Sequence, residues 1–169
     1  MEKAFKVIQE MVEKGVLKDY AIGGAVATLY YTEPFATFDL DIFFTPLEKG
    51  TLILLTPFYD FLLKKKKFKT YKEYIMIDEV PVQFLPATTE LEKEAIKNAQ
   101  EVNYKNSRIK IILPEYLVAI FLRVFRDKDK FKISKILEQA KVDKKKLRDI
   151  LIKHNLKKVF DKFMEKFYE

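Results

Sequence analysis

Apolar residues recur at helical spacing over residues 3–14 (Phe5, Val7, Ile8, Met11, Val12), and Gly15 follows as a stop. "DYAIGG" reads as a short strand, Tyr20–Ile22, that ends in two glycines, and "AVATLYY" (25–31) as one or two helical turns ended by Pro34. In "TFDLDIFFT" (37–45) the apolar Phe38, Leu40, Ile42 and Phe44 alternate with Asp39, Asp41 and Phe43, the period of a strand. Gly50 to Lys65 predicts a helix, with Pro57 either in its first turns or breaking it. "FKTYKEYIMI" and "VPVQFL" flank Asp78-Glu79 as the two arms of a hairpin. Thr88–Ala99 reads as a helix capped by Thr88 or Thr89 with acids in its first turn, and "EVNYKNSRIKIIL" as two short strands around Asn106-Ser107. Pro114 opens a helix with Tyr116, Leu117, Ile120, Phe121, Val124 and Phe125 on its apolar side. Amphipathic helices over about 130–139, 143–153 and 156–167 follow. The pattern predicts an α+β half (1–112) and a helical half (113–169) packed on it.

Composition narrows the chemistry. A chain of 169 residues fits one domain, or one with a helical appendage, and 15 Phe with 9 Tyr argue against disorder. The absence of Cys excludes a disulfide scaffold, thiolate catalysis and Cys-based zinc or iron–sulfur sites, and a single His excludes a multi-His metal site. Carboxylates, Lys/Arg, hydroxyls and backbone amides remain. The charged start "MEKAFKVIQEMVEK" argues against a leader, and no stretch reaches the 18 or so apolar residues of a membrane span, so a soluble cytoplasmic protein is expected. Lys is 28 of the 32 basic residues, which together with the missing Cys hints at a thermophile. The net charge of +7 is local: residues 1–63 carry −4, "KKKKFKTYK" (64–72) +6, residues 73–127 −2 and residues 128–169 +7. Such clusters suit polyanions such as nucleotides or RNA, and equally a solvated Lys-rich surface.

The segment "AIGGAVATLYYTEPFATFDLDIFF" carries the candidate chemistry. Two glycines leave a strand and open a helix, and fourteen residues separate Gly24 from Asp39. Residues two apart on a strand share a face, so Asp39 and Asp41 project side by side, roughly 7 Å apart. Two carboxylates held so close within an apolar strand repel each other and lose hydration unless a cation lies between them. Mg²⁺ takes oxygens from one or two carboxylates and leaves its other positions to water and substrate phosphates. A Gly-Gly turn before a helix lets phosphates approach backbone amides and the positive helix end. Either feature alone is commonplace, a tight turn or a solvated strand edge; their joint occurrence is the signal.

These residues resemble the signature of the nucleotidyltransferase fold of the DNA polymerase beta superfamily, a hydrophobic residue with Gly-Gly or Gly-Ser, a spacer, then Asp-x-Asp on a strand. The segment is most similar to a small prokaryotic branch that includes abortive-infection type toxins, through Gly23, Gly24, Ala27, Tyr30, Thr37, Asp39, Leu40 and Asp41, with "PVQFLPA" and "LPEYLVAIFLRVFRDKD" further on. The resemblance implies a mixed β-sheet flanked by helices with a C-terminal helical subdomain. It implies that Gly23 and Gly24 hold a triphosphate, that Asp39 and Asp41 bind Mg²⁺ (or Mn²⁺), and that a nucleoside monophosphate passes from an NTP to a hydroxyl of RNA, protein or a small molecule. The family's third carboxylate corresponds here to Gln83, which could offer a carbonyl oxygen but no charge. Where some relatives place a Lys on the helix after Pro114, the matching residue is Phe121.

Thr37 is a candidate for positioning the strand or touching a phosphate. Arg126 and Lys128, with Arg123 and Asp129, either reach phosphates across the cleft or form a charged helix end. Lys64–Lys67 either clamp an RNA backbone or are solvated; His154 is expected as a surface or C-cap residue; Tyr30 and Tyr31 either pack on the sheet or stack on a base. Three function classes stay open: an Mg²⁺-dependent nucleotidyltransferase, a catalytically weakened nucleotide- or RNA-binding regulator related to toxin–antitoxin pairs, and a structural protein whose acids merely bind a cation.

Overall fold

The computed structural model describes residues 1–37, 39–46 and 55–168, and of Tyr168 only the backbone. The helix α1 (Glu2–Glu13) buries Phe5, Ile8 and Met11 and stops at Gly15, whose φ of 68° is left-handed. The strand β1 (Tyr20–Ile22) is buried at all its residues and runs into α2 (Gly24–Tyr31). The strand β2 (Leu40–Phe44) follows. A single α-helical turn, α3 (Thr56–Tyr59), passes into a π-helical stretch, Asp60–Lys65. Then come β3 (Lys69–Tyr71), β4 (Tyr74–Ile77), β5 (Val80–Pro86), α4 (Glu90–Lys97), β6 (Gln100–Tyr104) and β7 (Ser107–Ile111). The last four helices are α5 (Pro114–Val124), α6 (Asp127–Gln139), α7 (Lys144–Lys153) and α8 (Lys157–Tyr168).

The strands form one seven-stranded mixed sheet in the order β3-β4-β5-β2-β1-β7-β6. β1 pairs antiparallel with β2 and parallel with β7, and β2 pairs parallel with β5. β1 and β2 are therefore central, which is why their apolar residues are buried on both faces. One face of β2 meets α3, with Phe58 edge-on to Phe44 at 4.7 Å and tilted on Phe84 at 5.1 Å. On the other, α2 packs on β2 and against α5 and α6. Pro114 to Leu122 of α5 are all buried, and one hydrophobic cluster joins the sheet to the C-terminal helices. Among the described residues no helix is long and apolar enough to cross a membrane.

Several boundaries differ from the sequence reading. "FKTYKEYIMI" is two strands, broken at Lys72-Glu73 into a hairpin of its own, with Lys72 at φ 53°. The next turn does fall at Asp78-Glu79. The β6–β7 turn is Lys105-Asn106, one residue earlier than expected, and Ser107 already pairs with Tyr104. The expected helix 50–65 lies outside the described residues up to Leu54; from Thr56 it exists, with Pro57 in its first turn. Phe38 also lies outside them, and the ladder begins at Leu40, so Asp39 immediately precedes the paired strand. The capping residue of α4 is Thr89, in a reciprocal box with Glu92. The helix expected from 130 begins at Asp127, because Asp129 accepts the Arg126 backbone N–H at 3.1 Å and caps its first turn. His154 is the C-cap of α7, and its ring nitrogen Nε2 lies 3.1 Å from Glu94 of α4 instead of facing water.

Candidate functional site

The glycine pair fits its neighbours by close approach. A Cβ on Gly24 would lie 2.0 Å from the Oδ2 of Asp41, and Gly24 has a φ of 58°. A Cβ on Gly23 would lie 2.5 Å from the Phe43 ring. Any side chain at either position collides with β2, so the first turn of α2 sits directly on Asp41. The Gly23 backbone N–H donates to the Asp41 carbonyl at 3.0 Å, which fixes this approach.

Asp41 opens into a cleft of about 460 Å³. Gly24, Asp39, Asp41 and Gln83 line it from the sheet and α2; Arg126, Lys128 and Lys132 line it from α6 and its start. Gln83 stands beside Asp41 in the parallel β2–β5 register, on the same face of the sheet. Gly23 and Thr37 are not among the lining residues: Gly23 packs on Phe43 and Ile112, and Thr37 is half-buried. Phe121 lines the cleft rather than being core alone, and the Lys132 ammonium lies 4.5 Å from its ring centroid. A cation thus reaches the place where Phe121 stands, from the next helix.

The electrostatics are those of a charged, partly desolvated site. Burial pushes the Asp41 carboxyl up to about 6, the neighbouring Asp39 adds to the rise, and Lys132, Lys128 and Arg126 oppose it. Tyr74, across the cleft, is pushed up by burial and then by Asp39, Glu73 and Asp41. Beneath the cations lies Asp129, with no exposed surface. Its Oδ2 accepts from Arg126 Nε at 2.8 Å, and its Oδ1 accepts from Lys132 Nζ at 3.1 Å. Burial raises Asp129, but the hydrogen bonds from Arg126 and Lys132 outweigh it and hold the carboxyl below its ordinary value. Asp129 therefore remains an anion and holds two cations toward the cleft. Arg123, by contrast, bonds Glu92 at 3.4 Å and is not among the lining residues.

Sequence reasoning missed Lys132. It had a signal: Asp129, Lys132, Ile133 and Ile136 form one buried stripe of α6 at helical spacing, so an acid and a Lys stand on an otherwise apolar face.

Residues 1–168 match the family described as "Nucleotidyl transferase of unknown function (DUF2204)". The chain belongs to this nucleotidyl transferase family. The fold agrees: an antigenic nucleotidyltransferase-like protein from Paracoccidioides brasiliensis superposes with a TM-score of 0.67 at 14% identity, covering 97% of this chain and 87% of that one. A candidate nucleotidyltransferase from Thermotoga maritima has a TM-score of 0.48 at 18% identity, covering 81% of this chain and 94% of that one. No curated protein matches the sequence. The sheet and its flanking helices are thus those of a nucleotidyltransferase-like fold.

The donor set suits a hard divalent cation. Asp39 and Asp41 offer two carboxylates and Gln83 a neutral oxygen, and no cluster of three or more His, Cys, Asp or Glu residues exists among the described residues. That is too few for an all-protein cage and the number expected for Mg²⁺ shared with phosphates and water.

Proposed function

We propose that the protein moves a nucleoside monophosphate from an NTP to a hydroxyl acceptor, with Mg²⁺ or Mn²⁺ held by Asp39 and Asp41. The observation that carries this reading is the cleft in which those two acids face Arg126, Lys128 and Lys132. The acids suit the cation and the three basic side chains suit the phosphates. When bound, the cation supplies charge neutralisation on the triphosphate and activation of the attacking hydroxyl. Arg126, Lys128 and Lys132 meet the negative charge that builds on the departing pyrophosphate. Gly24, at the open start of α2, has no side chain and so leaves room for the Asp41 carboxylate that would hold the cation. The acceptor oxygen bonds to the α-phosphorus as the bond to pyrophosphate breaks. Gln83 takes no proton at neutral pH, so the hydroxyl proton leaves to water in the open cleft, and Gln83 orients the acceptor through its amide.

Gln83 favours a second reading, nucleotide binding without turnover, because the residue paired with Asp41 on β5 is an amide where a carboxylate would serve as base. Calorimetric titration of ATP, GTP, CTP and UTP with Mg²⁺ into wild type and the Asp39→Asn/Asp41→Asn double variant tests the site, and labelled-NTP turnover separates the two readings. Binding that vanishes in the variant or under chelator supports a nucleotide site, and pyrophosphate release then supports transfer. Absence of binding at millimolar NTP contradicts both readings.

A further inference from the structure

The cleft has two ends of different chemistry. At one end stand Gly24 and the cations of α6, which suit a triphosphate. On the other side Gln83 and Tyr74 line the cleft, with Glu73 at the β3–β4 turn, and β3 lies one strand beyond. The registers place Gln83 beside Asp41, and Tyr71 opposite Tyr74. Ile75 pairs with Val82, so the next step of that antiparallel ladder sets Tyr74 against Gln83. Residues opposite one another across strands share a face. Asp41, Gln83, Tyr74 and Tyr71 therefore form one row across four strands, from the carboxylates to the sheet edge. Three strand spacings make that row about 14 Å long, the span of a few nucleotides.

The edge is built unlike a merely protected one. All three residues of β3 are exposed, and Tyr71 is 62% exposed although it lies in line with the cleft. The Lys72 ammonium lies 5.5 Å from the Tyr71 ring centroid. Of the basic run, Lys64 pairs with Asp60 and Lys66 with Glu10, whereas Lys65, Lys67, Lys69 and Lys72 have no ion pair among the described residues. Lysines alone would serve to block edge-to-edge pairing. At the opposite edge, β6 carries Glu101 and Asn103, and its turn lysine, Lys105, lies 5.9 Å from the Tyr104 ring but is paired with Glu2, whereas Lys72 has no such partner among the described residues. Edge protection also gives no reason for two tyrosines in register with Asp41. Glu73, at the tip between them, lines the same cleft and repels phosphate, which leaves the base rather than the backbone to meet the cleft floor.

We propose that the β3–β4 hairpin is the acceptor platform, where the end of a single-stranded nucleic acid lies along the Tyr71–Tyr74–Gln83 row with its phosphates on Lys69 and Lys72. Aromatic faces that stack on bases of any identity, flanked by lysines, are how single strands are held without sequence readout. The strand's terminal hydroxyl then arrives beside Asp41 from the side opposite the triphosphate. This inference rests on the transfer reading above; it adds the acceptor.

The test is fluorescence anisotropy of a labelled 12-nucleotide single-stranded RNA, and of DNA of the same sequence, added to the full chain without nucleotide or metal. The expected result is binding in wild type and about tenfold loss in Tyr71→Ala, recovered in Tyr71→Phe. Lys69→Ala/Lys72→Ala is expected to lower the salt slope of binding by about 1.4, for two phosphates at roughly 0.7 each. Tyr104→Ala, an exposed tyrosine on the far edge, leaves binding unchanged. Tighter binding of RNA than DNA adds a contact to the 2′-hydroxyl; equal binding leaves stacking and phosphates as the whole interaction, and both accord with the proposal. Equal losses in Tyr71→Ala and Tyr104→Ala overturn it, as does wild type that binds neither strand. Calorimetry of wild type with Mg²⁺–NTP, run in parallel, tells the failures apart. NTP binding without strand binding removes only the nucleic-acid acceptor and points to a protein or small-molecule hydroxyl. Binding of neither removes the transfer reading too.

Discussion

Two faces of the same strand, one residue apart, are built to opposite ends. On one face of β2, Leu40, Ile42 and Phe44 are almost wholly buried, and Phe44 meets the edge of Phe58. On the other, Asp41 is half-buried beside Asp39, with its carboxyl raised to about 6. The first face is what stability alone selects, apolar area removed from water at roughly 25 cal/mol per Å². The second keeps a partly desolvated anion that a packed apolar residue would outperform as structure. Function lies with the charge that the fold retains at a cost, not with the residues that hold the fold together.

Three experiments put that contrast to the test, in order of expected size. Removing the buried anion beneath the cations, Asp129→Ala, leaves Lys132 without its partner in a buried position and should cost about 3–5 kcal/mol, read from the urea midpoint. It should also weaken Mg²⁺–NTP binding, since Arg126 and Lys132 lose the group that aims them; full nucleotide affinity in a folded Asp129→Ala protein would contradict that role. On the apolar face, Ile42→Ala should cost about 2–5 kcal/mol and leave nucleotide affinity near wild type, because the side chain points away from the cleft. A specific loss of nucleotide binding there would blur the two faces. The smallest effect is on pH. Asp41 is raised from its ordinary 3.8 to about 6, so between those values the native chain holds a proton that the unfolded chain has released. The stability that Asp41 contributes without metal, read as the difference between wild type and Asp41→Asn, should therefore be full below the lower value and be lost as pH rises through the upper one. Mg²⁺–NTP binding should run the other way, weakening about tenfold for each unit below pH 6 as the carboxylate protonates. Parallel slopes for the two quantities would contradict the assignment of Asp41.

Much of this was legible in the chain. Alternation over residues 39–44 identified the strand and put Asp39 and Asp41 on one side, and the Gly-Gly turn before α2 marked the close approach that the Asp41 carboxylate now explains. What stayed hidden had local and non-local causes. The turn at Lys72-Glu73 contains no Gly, Asn or Pro, so nothing in its composition announced it, and the Tyr71–Tyr74 pair that it creates was invisible with it. Lys132 reaches the site from a helix ninety-one residues beyond Asp41, a meeting that only the packing of α6 on α2 and α5 brings about. Among so many lysines its place on a buried stripe was the single distinguishing mark. Gly23 shared its motif with Gly24, yet it serves the packing of Phe43 rather than lining the cleft.

The most direct test of the central claim is Asp41→Asn, measured at pH 7 by urea unfolding without metal and by calorimetry with Mg²⁺ and NTP. The expected result is a protein that is more stable than wild type by up to about 3 kcal/mol, the equivalent of its raised pKa, and that no longer binds Mg²⁺–NTP. A variant that is less stable than wild type and still binds nucleotide would show that Asp41 is a structural group and not a ligand of the cation.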